Sequence, residues 1–240
     1  MDRNHGVKSS PIFITNQNIQ LVKILSKSLF VFLLLINILS SCAQKNKGDL
    51  IVDDNKNLDG VTGLEVATLG SGCFWCIEAV YQTLEGVEKV ESGFSGGKVD
   101  NPSYRQICTG NTGHAEVCQI TFYPEKITYA ELLEVFWATH DPTTLNRQGN
   151  DVGTQYRSAI FYHNEQQKEV AQKSLEAANE SGEWNAPIVT EITAVSKFYK
   201  AEDNHQDYFS LNSELPYCTM VIKPKLEKFK KKFKEKLKQQ

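Results

Sequence analysis

The sequence predicts a single two-layer α+β domain, with a mixed sheet and helices packed around it. Short runs rich in β-branched and aromatic residues alternate with helical patterns, but they follow no strict βαβ rhythm. No internal repeat is apparent in the sequence. The chain has 240 residues, 40% of them apolar, which is enough for one sizeable core. The domain is predicted to occupy residues 61–222.

Glycine and proline separate the elements in the first half of this domain. A strand over 65–69 leads into a Gly-Ser-Gly turn, after which a helix is predicted over 73–84. Further strands are predicted over 87–94 and 115–123, with a polar loop between them, and Pro124 ends the second strand.

A capping box opens the second half. Thr128 and Glu131 have the spacing at which each side chain satisfies the backbone N–H of the other. The helix that they begin ends near His140, because Pro142 disfavours helical geometry in the residue before it. The later predicted elements are a strand over 156–162, a helix capped by Asn164 over 164–179, a strand over 188–193 and a helix over 198–209.

The first 42 residues have the pattern of an export signal. Lys23 and Lys27 precede an apolar run over 29–39, which is shorter than the roughly 20 residues needed to span a bilayer. Small residues then lead to Cys42, as in the lipobox of bacterial lipoproteins, whose cysteine is lipidated. Residues 1–42 are therefore predicted to be a signal peptide, and the exported chain to be anchored to a membrane on its periplasmic or cell-surface side. An uncleaved anchor and an ordinary signal peptide are the alternatives.

Two polar segments flank the predicted domain. Residues 43–60 have the composition of a flexible tether. Residues 223–240 are rich in lysine and predict an amphipathic helix, which can either dock on the domain or be attracted to anionic lipid. The formal net charge of −3 argues against a bulk nucleic-acid partner. The apolar stripe of the helix is Leu226, Phe229, Phe233 and Leu237.

Cys73 has the sequence setting of a nucleophile. It stands where the glycine turn meets the predicted helix, so unpaired backbone N–H groups and the positive end of the helix dipole favour its thiolate. Phe74 and Trp75 follow it directly, which suggests a small apolar pocket around the sulfur.

The number of cysteines also indicates redox chemistry. Without Cys42, five cysteines remain, an odd number for a structural disulfide framework in an exported protein. At least one thiol is therefore free, or the set is redox-active. Cys108 and Cys118 have the simpler interpretation of small buried hydrophobic residues.

Several ordered motifs resemble those of peptide methionine sulfoxide reductase of the A type, from about Val66 to Gln206. The resemblance implies an enzyme that reduces methionine-S-sulfoxide, free or in proteins, and that works as a monomer without a bound cofactor or metal. The motifs are Gly72-Cys73-Phe74-Trp75-Cys76, Asn101-Pro102-Ser103-Tyr104, Thr112-Gly113-His114-Ala115-Glu116, Asn146-Arg147-Gln148-Gly149-Asn150-Asp151, Gln155-Tyr156-Arg157-Ser158 and Ala201-Glu202-Asp203-Asn204-His205-Gln206.

The resemblance also implies a role for each matching side chain. Cys73 would attack the sulfoxide sulfur, release methionine and become a sulfenic acid. Glu116 would protonate or hydrogen-bond the sulfoxide oxygen, which requires a raised pKa. Tyr104 and Tyr156 would bind the same oxygen through their hydroxyls. The remaining implied residues, which contact the rest of the substrate, are Phe74, Trp75 and Asp151.

Either of two cysteines can form the disulfide that completes the cycle. Cys76 shares a helix face with Cys73, and this C-x-x-C pair at a helix start is similar to that of thioredoxin-like proteins. Many members of the family have glycine at this position and use a cysteine near the C-terminus, which here is Cys218. We favour Cys76, with Cys218 as the alternative or as a later acceptor. Thioredoxin or a thioredoxin-like protein would then reduce the disulfide.

Two other functions fit part of the pattern. A general thiol–disulfide oxidoreductase would use Cys73 and Cys76, but it needs neither Glu116 nor the two tyrosines, and the pair lacks the Gly-Pro of thioredoxin. A zinc-binding module would need a second C-x-x-C or a spaced histidine pair, which the sequence lacks.

Overall fold

A six-stranded sheet is the centre of the computed structural model, which describes residues 63–239. Its order is β7-β6-β1-β3-β2-β8, and each pairing is antiparallel except that of β6 with β7, so the sheet is mixed as predicted. A separate two-stranded ribbon pairs β4 with β5. The strands are β1 (Glu65–Ser71), β2 (Val87–Ser95), β3 (Ala115–Phe122), β4 (Arg147–Gln148), β5 (Asp151–Val152), β6 (Ser158–Tyr162), β7 (Glu191–Ala194) and β8 (Tyr199–Lys200).

Six α-helices are present among the described residues. Thr128 and Asn164 cap the third and fourth of them, and Thr128 forms the predicted capping box with Glu131. A π-helical turn over Cys218–Ile222 runs directly into the last helix. The helices are α1 (Phe74–Tyr81), α2 (Tyr104–Ile107), α3 (Tyr129–Thr139), α4 (Glu165–Glu180), α5 (Tyr208–Leu211) and α6 (Lys223–Lys232).

The main core lies between one face of the sheet and the helices. Along β3, Cys118 and Ile120 belong to this core, whereas Val117 belongs to a small cluster on the opposite face. Because side chains alternate along a strand, Glu116 points to the same side of the sheet as Cys118, towards the helical layer. This register brings the carboxyl of β3 to the start of α1.

The C-terminal helix α6 packs its apolar stripe on the domain. Leu226, Phe229 and Phe233 are each at most 7% exposed and belong to the main core. Within residues 63–239, no helix combines the length and the apolar character needed to cross a membrane. The predicted signal peptide with Cys42 and the predicted tether over 43–60 lie outside the described residues.

The helix predicted over 198–209 is wrong. Residues Tyr199–Lys200 instead form β8 on the edge of the sheet beside β2, and a 3₁₀ turn over Asp203–His205 precedes the short helix α5. The Gln206 side chain bonds both the N–H and the C=O of Ser92, so the sheet edge holds this segment extended. Long-range pairing therefore overrides the local helical pattern.

Candidate active site

Cys73 occupies the junction between β1 and α1. Gly72 before it has a φ of +93°, and a Cβ at that position would come within 2.6 Å of Cγ of Gln148, so the turn requires glycine. The turn makes Cys73 the N-cap residue of α1, 7% exposed. A cavity of about 250 Å³ opens beside it, and its walls include Cys73, Cys76, Gln148, Asp151, Tyr217 and Lys225.

Glu116 on β3 lies against the first turn of α1. Its Oε2 accepts a hydrogen bond from the backbone N–H of Phe74 at 3.1 Å, and its Oε1 has no partner among the described residues. The residue is 1% exposed, and this burial raises the pKa of the carboxyl to about 8, although the Phe74 N–H acts in the opposite direction. The side chain is therefore a neutral acid at pH 7 with an oxygen free to bind a ligand.

The prediction that Cys73 is ionised at rest is wrong. Burial raises the pKa of its thiol well above the usual value, and its hydrogen bond to Cys76 and the nearby Glu116 act in the same direction. The N–H of Phe74, which could stabilise a thiolate, is bonded to Glu116 instead. The hydrogen bond from Cys73, assisted by Lys225, lowers the pKa of Cys76 to about 7. Cys76 is therefore the more acidic thiol of the pair.

The rings after Cys73 belong to an aromatic cluster, formed by Phe74, Trp75, Tyr104, His205 and Tyr208. Trp75 stacks on Tyr208 with 3.7 Å between ring centroids and 6° between planes. Phe74 is completely buried and stacks on Tyr104 at 6.0 Å, whereas Trp75 keeps part of its surface exposed. The cluster forms an apolar wall next to the sulfur, in which Trp75 is the more accessible of the two predicted rings.

Both predicted tyrosines lie near Glu116. Burial, and then the charge of Glu116, raises the pKa of Tyr104 and of Tyr156, so both hydroxyls remain protonated donors at neutral pH. Tyr104 begins α2, and its backbone N–H donates to Glu202 at 2.9 Å. Tyr156 ends a 3₁₀ turn over Thr154–Tyr156 instead of starting the predicted strand.

Asp151 and Tyr217 close the other side of the cavity. The Tyr217 hydroxyl donates to Oδ2 of Asp151 at 2.9 Å, and Tyr217 lines the same cavity as Cys73. Its ring meets Trp75 edge-on at 5.7 Å. Tyr217 is not among the predicted site residues, although it directly precedes Cys218, the alternative resolving thiol.

The remaining cysteines differ in accessibility. All five described cysteines are reduced. Cys218 is fully buried in the π-helical turn, and the charge of Cys76 contributes to raising its pKa after burial does. Cys118 is fully buried as predicted, but Cys108 is exposed at the end of α2, contrary to its interpretation as a buried hydrophobe.

Glu78 is a further buried carboxyl, and it is not among the predicted site residues. It is 1% exposed on α1 and accepts hydrogen bonds from the backbone N–H groups of Asp207 and Tyr208, at 2.9 and 3.0 Å. These bonds fix the start of α5 and so place Tyr208 over Trp75. An acidic residue within an apolar helix was the available signal, because such a residue is rarely buried without partners.

Within residues 63–239, no group of three or more His, Cys, Asp and Glu side chains is arranged to hold a metal ion.

Comparisons with known proteins agree with this geometry. The sequence model of a family described as peptide methionine sulfoxide reductase matches residues 65–237. Peptide methionine sulfoxide reductase MsrA of Leptospira borgpetersenii is 56% identical over 168 residues, which cover 70% of this chain and 94% of that protein. The MsrA of Sulfolobus acidocaldarius is 54% identical over 173 residues, covering 72% and 97%.

Two solved structures share the fold. Mxr1 from Saccharomyces cerevisiae in reduced form superimposes with a TM-score of 0.62 at 35% identity, covering 65% of this chain and 90% of that one. Methionine sulfoxide reductase A of Corynebacterium diphtheriae gives a TM-score of 0.60 at 37% identity, covering 67% and 82%. The mixed sheet with its surrounding helices therefore matches structures of the same class.

Proposed function

Because this chain belongs to the peptide methionine sulfoxide reductase family and is an oxidoreductase, we propose that it reduces the S epimer of methionine sulfoxide, free or in proteins, with Cys73 as the nucleophile. The observation that carries the assignment is the Glu116 carboxyl, held neutral beside the Cys73 sulfur with an unpartnered oxygen. A sulfoxide needs a soft nucleophile at sulfur and a proton at oxygen, and this pair supplies both.

The first step transfers the sulfoxide oxygen to the enzyme. As the Cys73 sulfur bonds to the substrate sulfur, its proton passes to Cys76 along their hydrogen bond, and Glu116 protonates the oxygen. The oxygen then moves from the substrate sulfur to the Cys73 sulfur: a new S–O bond forms on Cys73 while the substrate S–O bond and the bond between the two sulfurs break, so methionine leaves and Cys73 becomes a sulfenic acid. Methionine sulfoxide is reduced by two electrons and Cys73 is oxidised by two. Of the two transferred protons, one ends on the sulfenic acid and the other on Cys76.

The surroundings of this step fit the remaining predicted residues. Tyr104 and Tyr156 would donate hydrogen bonds to the sulfoxide oxygen, and Asp151 would orient the substrate within the cavity. Phe74 and Trp75, extended by Tyr208, would form the apolar wall for the substrate methyl.

The second step forms a disulfide, and we assign the resolving thiol to Cys76 of the GCFWC motif. The Cys76 thiol attacks the sulfenic sulfur of Cys73, and its proton leaves with the hydroxyl as water. Cys76 suits this role because it already shares a hydrogen bond with Cys73 and lines the same cavity, whereas Cys218 is fully buried. A thioredoxin-like dithiol would then reduce the disulfide, with no bound cofactor and with the enzyme as a monomer.

The assay for this function supplies each epimer of a blocked methionine sulfoxide with dithiothreitol. We expect turnover of the S epimer alone, and no turnover by Cys73→Ser. Cys118→Ser is a matched control, because that thiol is fully buried and does not line the cavity. Equal reduction of both epimers, or full activity of Cys73→Ser, would contradict the proposal.

We also propose that the enzyme is an exported lipoprotein, with residues 1–42 as the signal peptide and Cys42 as the lipidated residue. The basic and apolar segments before Cys42 support this location. Mass spectrometry of the mature N-terminus tests it: a diacylglyceryl cysteine at position 42 is expected. Cleavage elsewhere, or an intact N-terminus, would contradict it.

A further inference from the structure

A basic groove adjoins the candidate active site. It is a cavity of about 570 Å³ beside α6, and the lysines on its wall are Lys225, Lys228 and Lys232. Trp184, Phe229 and Phe233 supply apolar surface to the same cavity. The groove shares Lys225 and Gln148 with the smaller cavity that contains Cys73, so the two cavities adjoin at these residues.

The charge of this groove is positive and largely unneutralised. Within residues 63–239, none of its three lysines lies within 4.0 Å of a carboxylate, whereas Lys236 farther along the chain pairs with Glu131. One carboxylate, Asp141, lines the groove, and the Thr143 N–H and hydroxyl bond to it. Three cations therefore face one anion that already has local partners.

Neighbouring groups limit the extent of the positive surface. His140 also lines the groove, but burial lowers its pKa to about 4, so it is uncharged at neutral pH. Beyond Phe233, the walls of an adjoining pocket include Glu134 and Glu183. The positive stretch therefore runs from Lys225, next to the cysteines, to Lys232, where acidic residues begin.

We propose that this groove binds an acidic segment next to the oxidised methionine of a protein substrate. Lys225 and Lys232 are seven residues apart on α6, so they span about 10 Å at 1.5 Å per residue. An extended peptide covers this length with about three residues. Asp or Glu within about three positions of the oxidised methionine would meet the lysines, while apolar neighbours would meet Trp184 and Phe229.

The proposal rests on the proposed function, because it assumes that the oxidised side chain enters the cavity of Cys73. It adds a preference among protein substrates that the chemistry at sulfur does not supply. The contacts would form equally in the ground state and the transition state, so the preference should appear in KM and leave kcat unchanged.

The test uses three synthetic peptides with one methionine-S-sulfoxide, flanked on both sides by Asp, Asn or Lys, and a blocked single amino acid as reference. Wild-type enzyme is expected to show a kcat/KM for the Asp peptide about 3- to 10-fold above that for the Asn peptide, the size expected for two or three exposed ion pairs. This preference should shrink in high salt. The Lys peptide should be the poorest of the three.

Two double variants on α6 separate the groove from general charge. Lys228→Gln with Lys232→Gln should abolish the preference for Asp, while reduction of the blocked amino acid stays unchanged. Lys223→Gln with Lys231→Gln removes the same charge from residues that do not line the groove, and it should keep the preference.

Three results would overturn the proposal. The first is an equal kcat/KM for the Asp and Asn peptides, and the second is an equal loss of the preference for Asp in both double variants. The third is that Lys228→Gln with Lys232→Gln loses binding to anionic phosphatidylglycerol vesicles but keeps the peptide preference. The last result would make the groove a lipid-facing surface. Failure on the blocked amino acid itself would instead contradict the proposed function.

Discussion

Replacing Glu116 by glutamine should lower activity and, as pH rises, make the fold more stable relative to wild type. The amide oxygen of glutamine can still accept the hydrogen bond from the Phe74 N–H, so the start of α1 keeps its contact. The amide has no proton to give to a sulfoxide oxygen. We therefore expect the chemical step to slow by about 10²- to 10³-fold, within the range for loss of a general acid.

The stability change follows from the raised pKa. The unfolded chain releases the Glu116 proton near pH 4.5, whereas the folded chain holds it until about pH 8. Between these values the folded state binds more protons, so the free energy of unfolding falls as pH rises. Near 1.4 kcal/mol per pH unit, the wild type should lose roughly 3 kcal/mol between pH 5 and pH 8 because of this group. The glutamine side chain of the variant does not titrate, so the variant should lose nothing from this position.

Urea unfolding of both proteins at pH 5 and pH 8 measures the difference. Other titrating groups, including the buried Glu78, are present in both proteins and cancel in the comparison. We expect the stability of Glu116→Gln relative to wild type to rise by roughly 3 kcal/mol between the two pH values. A relative stability that does not change with pH, or a variant that retains activity within threefold, would refute the reasoning.

Three further variants test the parts of the site separately. Cys76→Ser should still complete one stoichiometric turnover, more slowly than wild type because the base for the Cys73 proton is lost, and should recycle slowly with a dithiol protein; unchanged steady-state turnover would move the resolving role to Cys218. Lys225→Met should shift the acidic limb of the pH profile of kcat/KM from near pH 7 to a higher pH, by up to about one pH unit, because the variant lacks a cation that stabilises the Cys76 thiolate. An acidic limb at the same pH as in wild type would contradict this. Tyr208→Leu should destabilise the fold by about 1 kcal/mol and raise KM several-fold, because the variant loses the ring that stacks on Trp75. Tyr208→Phe keeps the ring and serves as an unaffected control. An unchanged KM in Tyr208→Leu would exclude a role for this stack in substrate binding.

Local pattern was sufficient to predict much of the fold. Glycine before Cys73, the capping box at Thr128 and the cap at Asn164 each specify a turn or a helix start through neighbouring residues, and the structure has each feature. The segment after Lys197 was predicted incorrectly because its conformation depends on the edge of β2, about one hundred residues earlier.

The site was predictable in its residues but not in its electrostatics. Motif resemblance was enough to bring Cys73, Glu116 and Asp151 together as candidates. It gave no indication that Glu116 takes the N–H that could have ionised Cys73, because that bond depends on the register of β3 against α1. Tyr217 was missed for a related reason, since a distant segment folds back over the cavity.

The most direct test of the proposed chemistry is to locate the oxidised sulfur after a single turnover. Enzyme with Cys76→Ser and Cys218→Ser would be mixed with one equivalent of methionine-S-sulfoxide, treated with a dione that captures sulfenic acids, and digested for mass spectrometry. We predict one adduct, on Cys73, with one equivalent of methionine released. Methionine released without an adduct on Cys73, or an adduct on Cys108 or Cys118 instead, would contradict it.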